Sequence, residues 1–467
     1  MKKKKSFQEI KFWDYAAYFS CLVFFAAGSI ISVNRYWQFE VFYYDFGIFD
    51  RAIWLVSRFQ APIVDHMVVG GKWIFADHFS PSIFLLSPIY WFTNRSEVLL
   101  ITQSLAVALS GLVIFLIAKK LLKNKFVSLS ILSAYFLFVG LQNAIITDIH
   151  EVTFATLFVT ASFWFYLKKK PLFYFLSLFI LLGFKESLFL LGIFLAVTFV
   201  LIEKKFTKLS FATFLISVIW GYLSIKVIIP YFSGGFYQYS AHIEPNFFKI
   251  AKSLINYPQK RQTIFYSFTS FGFLPVFAPA FWPLIFEDFL TRFYPFWPTR
   301  WNLTLHYSAI LATLLAISSI YGLVAISAFK TLSKYLTFIV ILLILVSLYL
   351  YRFKLNGPFG LFYNPAFYSH TKDFGFLEVV IKQVPQKSSV MAPNNLASHF
   401  THQKVWLLRK DYKEYMPDYI LIDTRLGQSP NNYFYTYEME EIPKLLNKDV
   451  NYELVYTTGE QFVYKKR

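Results

Sequence analysis

Over residues 12–352, apolar residues come in unbroken runs of helical length, separated by short polar or lysine-rich stretches. Runs of about 18 or more apolar residues suit helices that cross a bilayer. The pattern predicts spans over 12–33, 97–118, 126–142, 152–167, 171–184, 187–202, 209–229, 307–327 and 335–352. Residues 263–291 are apolar but broken by Pro275, Pro279 and Pro283, and predict two short spans or one re-entrant pair. Taken as two, they bring the expected count to eleven crossings.

The lysines set the direction of the threading. Lys2 to Lys5 with Lys11, then Lys119, Lys120, Lys123 and Lys125, then Lys168 to Lys170, then Lys204, Lys205 and Lys208, then Lys330 and Lys334, all fall on one side. Cytoplasmic loops carry such an excess of Lys and Arg, so the N-terminus is expected in the cytoplasm and the C-terminus outside the cell membrane. The opening lysines also suit a signal peptide, but the apolar run behind them is long enough to span and shows no small-residue cleavage site. A retained signal-anchor is the expectation.

The long outer loop, 35–95, is patterned as well. Residues 46–58 place Phe46, Phe49, Ile53 and Val56 on one face and Asp50, Ser57 and Arg58 nearer the other, as in a helix lying in the membrane interface. A second apolar stretch, 82–92, is too short to span. From Asn356 the pattern changes. Phe374, Leu377, Val380 and Ile381 follow a helical period after Asp373, a plausible N-cap. Val405–Leu408, Tyr419–Ile422 and Tyr452–Tyr464 predict strands, the last with a Thr-Gly turn. The expected fold is an all-α polytopic membrane domain over 1–352 and a C-terminal soluble α/β domain over 353–467.

Composition agrees with the pattern. The chain is 56% hydrophobic and 21% aromatic, with a mean hydropathy of +0.47, too apolar for a soluble protein of 467 residues. The formal charge of +18 would suggest nucleic acid in a soluble protein. Here much of it sits between spans, so it reads as topology and attraction to anionic lipid, with no nucleic-acid partner. Cys21 is the sole cysteine, so no disulfide closes within the chain.

The same threading puts the eight histidines, and most acidic residues, in outer segments or in the C-terminal region. Asp45 and Asp50 lead this set. A carboxylate at the mouth of a membrane cavity serves as a general base or holds a divalent cation; the plainer roles are a helix cap for Asp45 and a solvated face for Asp50. Asp77-His78 orients a substrate, shares a metal with Asp45, or is an interfacial turn. Asp148, His150 and Glu151 end the third span. The His-Glu pair lacks the second His of a zinc protease, because Phe154 stands there, so it reads as a polar wall. Lys185-Glu186 interrupts an apolar stretch. Charges at membrane depth cost roughly 2.5–3.5 kcal/mol each and are seldom idle, which suggests Lys185 on a lipid phosphate or a self-neutralising pair. Arg292, Arg300 and His306 lie among Trp and Phe, suited to a phosphate or sugar site or to an interface belt. Asn94 and Asn302 begin glycosylation sequons, a pattern common by chance.

Several of these residues belong to longer motifs. Tyr44-Asp45-Phe46-Gly47-Ile48-Phe49-Asp50-Arg51-Ala52-Ile53-Trp54 is followed by His78-Phe79-Ser80-Pro81 and Ser87-Pro88-Ile89-Tyr90. Then come Asp148-Ile149-His150-Glu151, Lys185-Glu186 and His306-Tyr307. In order and spacing this set resembles a domain-of-unknown-function family of predicted polytopic membrane proteins of bacteria and archaea, over most of residues 40–330. Val390-Met391-Ala392-Pro393-Asn394-Asn395-Leu396 and Asp418-Tyr419-Ile420-Leu421-Ile422-Asp423 resemble its C-terminal region. Arg51 departs from a pattern that more often has Gln. That family is similar in architecture to the GT-C glycosyltransferases, such as the protein O-mannosyltransferase and aminoarabinose transferase types, which take a sugar from a polyprenyl-phosphate carrier. Their first outer loop carries an essential acidic residue, and Asp45 falls in the matching loop.

The resemblance implies a glycosyltransferase that moves a sugar from polyprenyl phosphate to an envelope acceptor (glycan, lipid or protein) on the outer face. Asp45 would be the base. Lys185, with Arg292 or Arg300, would stabilise the phosphate. Asp50, His78 and His150 would position the acceptor or bind a divalent cation, the one cofactor left open. Asp148, Glu151, Glu186 and His306 would complete the substrate-binding set. A transporter or flippase of a lipid-linked solute, or a membrane scaffold, remain the alternatives.

Overall fold

A computed structural model of the chain describes residues 2–65, 69–239, 246–294, 296–425 and 436–467. His66 and His242 lie outside the described residues, as does part of the loop expected over 230–262. The fold is mostly helical with a small C-terminal sheet region. It divides into two units. The first holds Met1–Ser29, Asp77–Ser82 and Ile101–Gly360; the second holds Ile30–Ala76, Ile83–Leu100 and Leu361–Arg467.

Five helices among the described residues are long and apolar enough to cross a membrane: Lys11–Trp37, Glu97–Leu122, Lys208–Ser233, His306–Ser327 and Leu336–Lys354. A sixth span is available if Lys125–Leu137 and Val139–Ile146, which meet at a 52° bend, count together. The bend falls at Phe138, whose extended backbone (φ −67, ψ 115) interrupts the helical ladder. Glu151–Leu167, Pro171–Leu182 and Leu188–Glu203 are apolar but shorter. The proline-broken stretch becomes helices Pro258–Ser270 and Trp282–Phe293, joined through 3-10 turns at Leu274–Phe277 and Pro279–Phe281. Each proline sits in the first turn of its element, where a missing N–H costs nothing.

In the first unit, small residues let chain segments meet closely. A Cβ on Gly192 would lie 2.2 Å from Ser217 Oγ, and one on Gly183 would lie 2.2 Å from Ser82 Oγ. The second contact matters for chemistry. Ser82 donates its N–H to Gly183 O at 2.8 Å and its hydroxyl to Ile180 O at 2.8 Å. This fastens the His78–Ser82 segment to the end of the Pro171–Leu182 helix, beside the turn that carries Lys185 and Glu186.

In the second unit the helix expected over 46–58 forms as Tyr43–Gly47, a π turn, running into Ile48–Ser57. Asp50 is not on a polar face as expected: it is fully buried, along with Phe46, Ile53 and Ser57. A 3.6-residue period explains the correction, because 46, 50, 53 and 57 form one stripe. Asp45 lies within the first turn rather than capping it, since the N-cap is Phe42. Gly47 is needed here, because a Cβ would meet the Tyr43 ring at 2.2 Å. The stretch 82–92 forms a 3-10 helix over Pro81–Trp91.

The C-terminal sheet has strands β1 (Val390–Ala392), β2 (Val405–Leu407), β3 (Tyr419–Asp423), β4 (Tyr452–Thr458) and β5 (Gln461–Lys466), in the order β2-β1-β3-β5-β4. β1 runs parallel to both neighbours, and β3, β5 and β4 are antiparallel. The central strand β3 is buried along its whole length, as its unbroken apolar run requires. Met391, Trp406, Ile420, Ile422, Ile442 and Tyr464 are part of the core. The Thr-Gly turn closes the β4–β5 hairpin with Gly459 at φ +66. Asp373 is not an N-cap: it ends helix Pro365–Asp373, and the next helix starts from Phe374 with no side-chain cap.

Candidate functional site

The first unit gathers most of the expected substrate-binding residues. Lys185 Nζ donates to Glu151 Oε1 at 2.6 Å. Glu186 takes His78 Nδ1 at 2.9 Å, the Tyr237 hydroxyl at 2.9 Å and the Phe79 N–H at 3.2 Å. His78 also stacks on Tyr239, ring centroids 4.5 Å apart. Both carboxylates are about 1% exposed, so each requires its partners. Next to them, His150 and His306 stack with centroids 3.4 Å apart. Lys185 reaches this pair through Glu151, next to His150, and Arg300 through Tyr307, next to His306.

Gln103 builds the turn that carries His150. Its amide donates to Ile145 O at 3.2 Å and Asp148 O at 2.8 Å, and it accepts the His150 N–H at 3.0 Å. Asp148 turns the chain with φ +47, a left-handed conformation that Asp tolerates better than most residues. Arg292 is committed to the backbone: it bonds to the carbonyls of Arg300 and Asn302 at 3.1–3.2 Å and to Asp288 at 3.4 Å. That arrangement holds the 300–302 segment. The Arg300 guanidinium instead lies over Tyr307, at 5.5 Å, and Trp297, at 6.0 Å. It has no carboxylate partner among the described residues. Lys185 and Arg300 are thus the two cations with donors to offer an anion.

Asp50 belongs to the second unit and is compensated differently. The Tyr90 hydroxyl donates to Oδ1 and the Thr401 hydroxyl donates to Oδ2 at 2.5 Å. His402 Nε2 lies 3.6 Å from Oδ2. Burial alone would raise the carboxyl, but the nearby imidazole and hydroxyls outweigh it and hold the group below its usual range. His402 is itself set by Trp54, stacked at 5.0 Å, and Tyr90, edge-on at 5.1 Å. Asp50 therefore ties the loop helix to the segment after Phe400. Asp45 is half-buried in the π turn, and the next residue back, Tyr44, gives its N–H to Asn394 Oδ1 at 2.9 Å.

Sequence reasoning missed Gln103, Tyr90, Tyr237, Thr401 and His402. Gln103 was detectable as an amide inside an apolar run. Tyr90 stands in the 3-10 helix Pro81–Trp91 and the other three in loops, and all four have partners more than 30 positions away. Among the described residues no group of three or more His, Cys, Asp or Glu side chains is placed to hold a metal.

The apolar helices and the buried charges at their ends define a multi-pass membrane protein. The chain belongs to the family described as "Predicted membrane protein (DUF2079)", whose model matches residues 35–461. No curated protein matches it. Among solved structures it is similar to ArnT from Cupriavidus metallidurans bound to undecaprenyl phosphate, at 11% identity and a TM-score of 0.46, over 95% of this chain and 97% of that one. A likeness of that size supports no argument about function.

Proposed function

We propose that the protein is a lipid-linked glycosyltransferase of GT-C type, in an eleven-span topology with its chemistry on the outer face of the cell membrane. The observation that carries this reading is that Lys185 is bonded to Glu151, the neighbour of His150, and Arg300 lies over Tyr307, the neighbour of His306, while the two imidazoles stack on each other. Two cations with donors to spare, in a largely buried setting, suit a phosphate that gains charge as its sugar departs. Glu151 and Glu186 hold Lys185 and His78 in place, so the cluster is organised before any ligand arrives. The carrier is then a polyprenyl phosphate, whose apolar tail suits a bilayer-facing helical surface.

The acceptor attacks the anomeric carbon and the phosphate leaves with the bonding pair. Asp45 takes the acceptor's proton, a role that rests on the family resemblance and on the chemistry of a carboxylate. The envelope acceptor is a glycan, lipid or protein. The test is mass spectrometry of envelope glycans and polyprenyl-phosphate sugars in deletion, wild-type, Asp45→Asn and Lys185→Met strains. One glycan short of a sugar, with its lipid-linked donor accumulating in the deletion and both variants, supports transfer. Wild-type pools in Asp45→Asn at normal expression remove Asp45 from the reaction. Wild-type pools in Lys185→Met remove the phosphate site.

A further inference from the structure

The second unit contains a cavity of about 340 Å³, within the range of small-ligand sites. Its walls come from the end of the first helix, from residues 94–97, from helix Gly375–Ile381 and from 399–403. Three features describe what it would take. First, it offers aromatic surface at Tyr36, Trp37 and Phe400. Trp37 is 40% exposed, and its indole N–H is steered by Glu97 Oε1 at 3.1 Å.

Second, its charges cancel. Arg95 and Lys382 line it together with Glu97 and Glu378, and Lys382 pairs with Glu378 at 3.4 Å. A site for a phosphate or a carboxylate would carry a surplus of one sign.

Third, His399 presents an acceptor. Its ring is held between Tyr36 and Phe39, centroids 4.2 Å from each, and it bonds to the backbone of Tyr36. His399 lines the cavity, and its buried Nε2 has no hydrogen-bond partner among the described residues. Burial pushes the imidazole down to about 3, so it is neutral at physiological pH. With one nitrogen's proton given to the Tyr36 backbone, the other is a lone-pair acceptor that requires an O–H or N–H donor. Beside it, Thr401 and His402 line the cavity while their inner sides are fixed by Asp50.

We propose that this cavity is a carbohydrate site for a neutral sugar ring or short glycan, stacked on Trp37 and donating a hydroxyl to His399 Nε2. Aromatic faces match the C–H faces of a sugar, and balanced polar groups match its hydroxyls. Calling the occupant the acceptor rests on the transfer reading; the binding itself does not.

The test is saturation-transfer NMR on the full chain in nanodiscs, with the methyl α-glycosides of mannose, glucose and galactose as probes. Glucuronic acid and glucose 1-phosphate are the charged counterparts. At least one neutral glycoside is expected to bind, and Trp37→Ala and His399→Phe each to weaken it about tenfold. Glu97→Gln, at the exposed rim, provides a folded variant with the same direction of effect should His399→Phe not fold. Binding of charged probes alone, no neutral probe bound, or glycoside binding unchanged in Trp37→Ala and Glu97→Gln would each overturn the proposal. A failed transfer reading shows separately, as unchanged envelope pools in Lys185→Met.

Discussion

Glu151 in the first unit and Asp50 in the second are both carboxylates with almost no solvent exposure, yet they are compensated by different means. Glu151 meets the flexible ammonium of Lys185, which keeps further donors for another anion. Asp50 meets two hydroxyls that donate to it and an imidazole packed between aromatic rings. An unpaired buried charge is costly in either place. The lesson lies in what the partners have left over. Where they are spent on the carboxylate, the group is a joint; where donors remain, it is part of a site that expects a ligand.

The strongest way to break the comparison is Asp50→Ala. It strands the Tyr90 and Thr401 hydroxyls and empties the space beside His402, so a loss of about 3–5 kcal/mol is expected, read by denaturant or thermal unfolding in detergent. Asp50→Asn keeps one acceptor oxygen and should lose about half as much. If Asp50 is a joint, transfer per folded molecule survives in Asp50→Asn. A stable Asp50→Asn protein without transfer would return it to the catalytic group assigned from sequence.

Why sequence reading made that assignment is physical. Five of the expected spans, or six with the bent pair, were legible because apolar run length is a local property, and so were the hairpin and the strands Tyr419–Ile422 and Val405–Leu408. Charged pairs close in sequence, such as Lys185-Glu186, stood out against their apolar surroundings. What was hidden is partner choice. Lys185 pairs with Glu151, 34 positions away, while Glu186 pairs with His78, 108 positions away. Asp50 finds Thr401, 351 positions away. No local pattern carries such distances. Arg292 illustrates the converse: it reads as a ligand-binding cation, but its geometry commits it to the carbonyls of Arg300 and Asn302.

A smaller effect separates the first unit's two functions, structural and chemical. Lys185→Met leaves Glu151 buried without its cation, and a loss of about 2–4 kcal/mol is expected. Adding Glu151→Gln removes the stranded charge and should recover most of that stability. Transfer should stay lost in the double variant, because the phosphate partner is still missing. Recovery of transfer together with stability would mean that the pair only holds the fold, and the contrast with Asp50 would vanish.

The smallest effect is a pH dependence, and it sharpens the account of the second unit. His399 takes a proton near 6.5 when unfolded and only at about 3 when folded. Between those values the unfolded chain holds the extra proton, so His399 destabilises the fold increasingly as pH falls from 6.5 toward 3. Asp50 has the opposite state favoured. Its carboxyl is held below the ordinary 3.8, so its stabilising share is intact above that value and is lost on further acidification. Melting of the wild type from about pH 8 down to about pH 3 should therefore begin to weaken near 6.5, before carboxylates such as Asp50 titrate. His399→Gln should shrink the upper phase and leave the lower one. An upper phase of unchanged size in His399→Gln belongs to other histidines, and the neutral acceptor in the cavity wall would lose its thermodynamic signature.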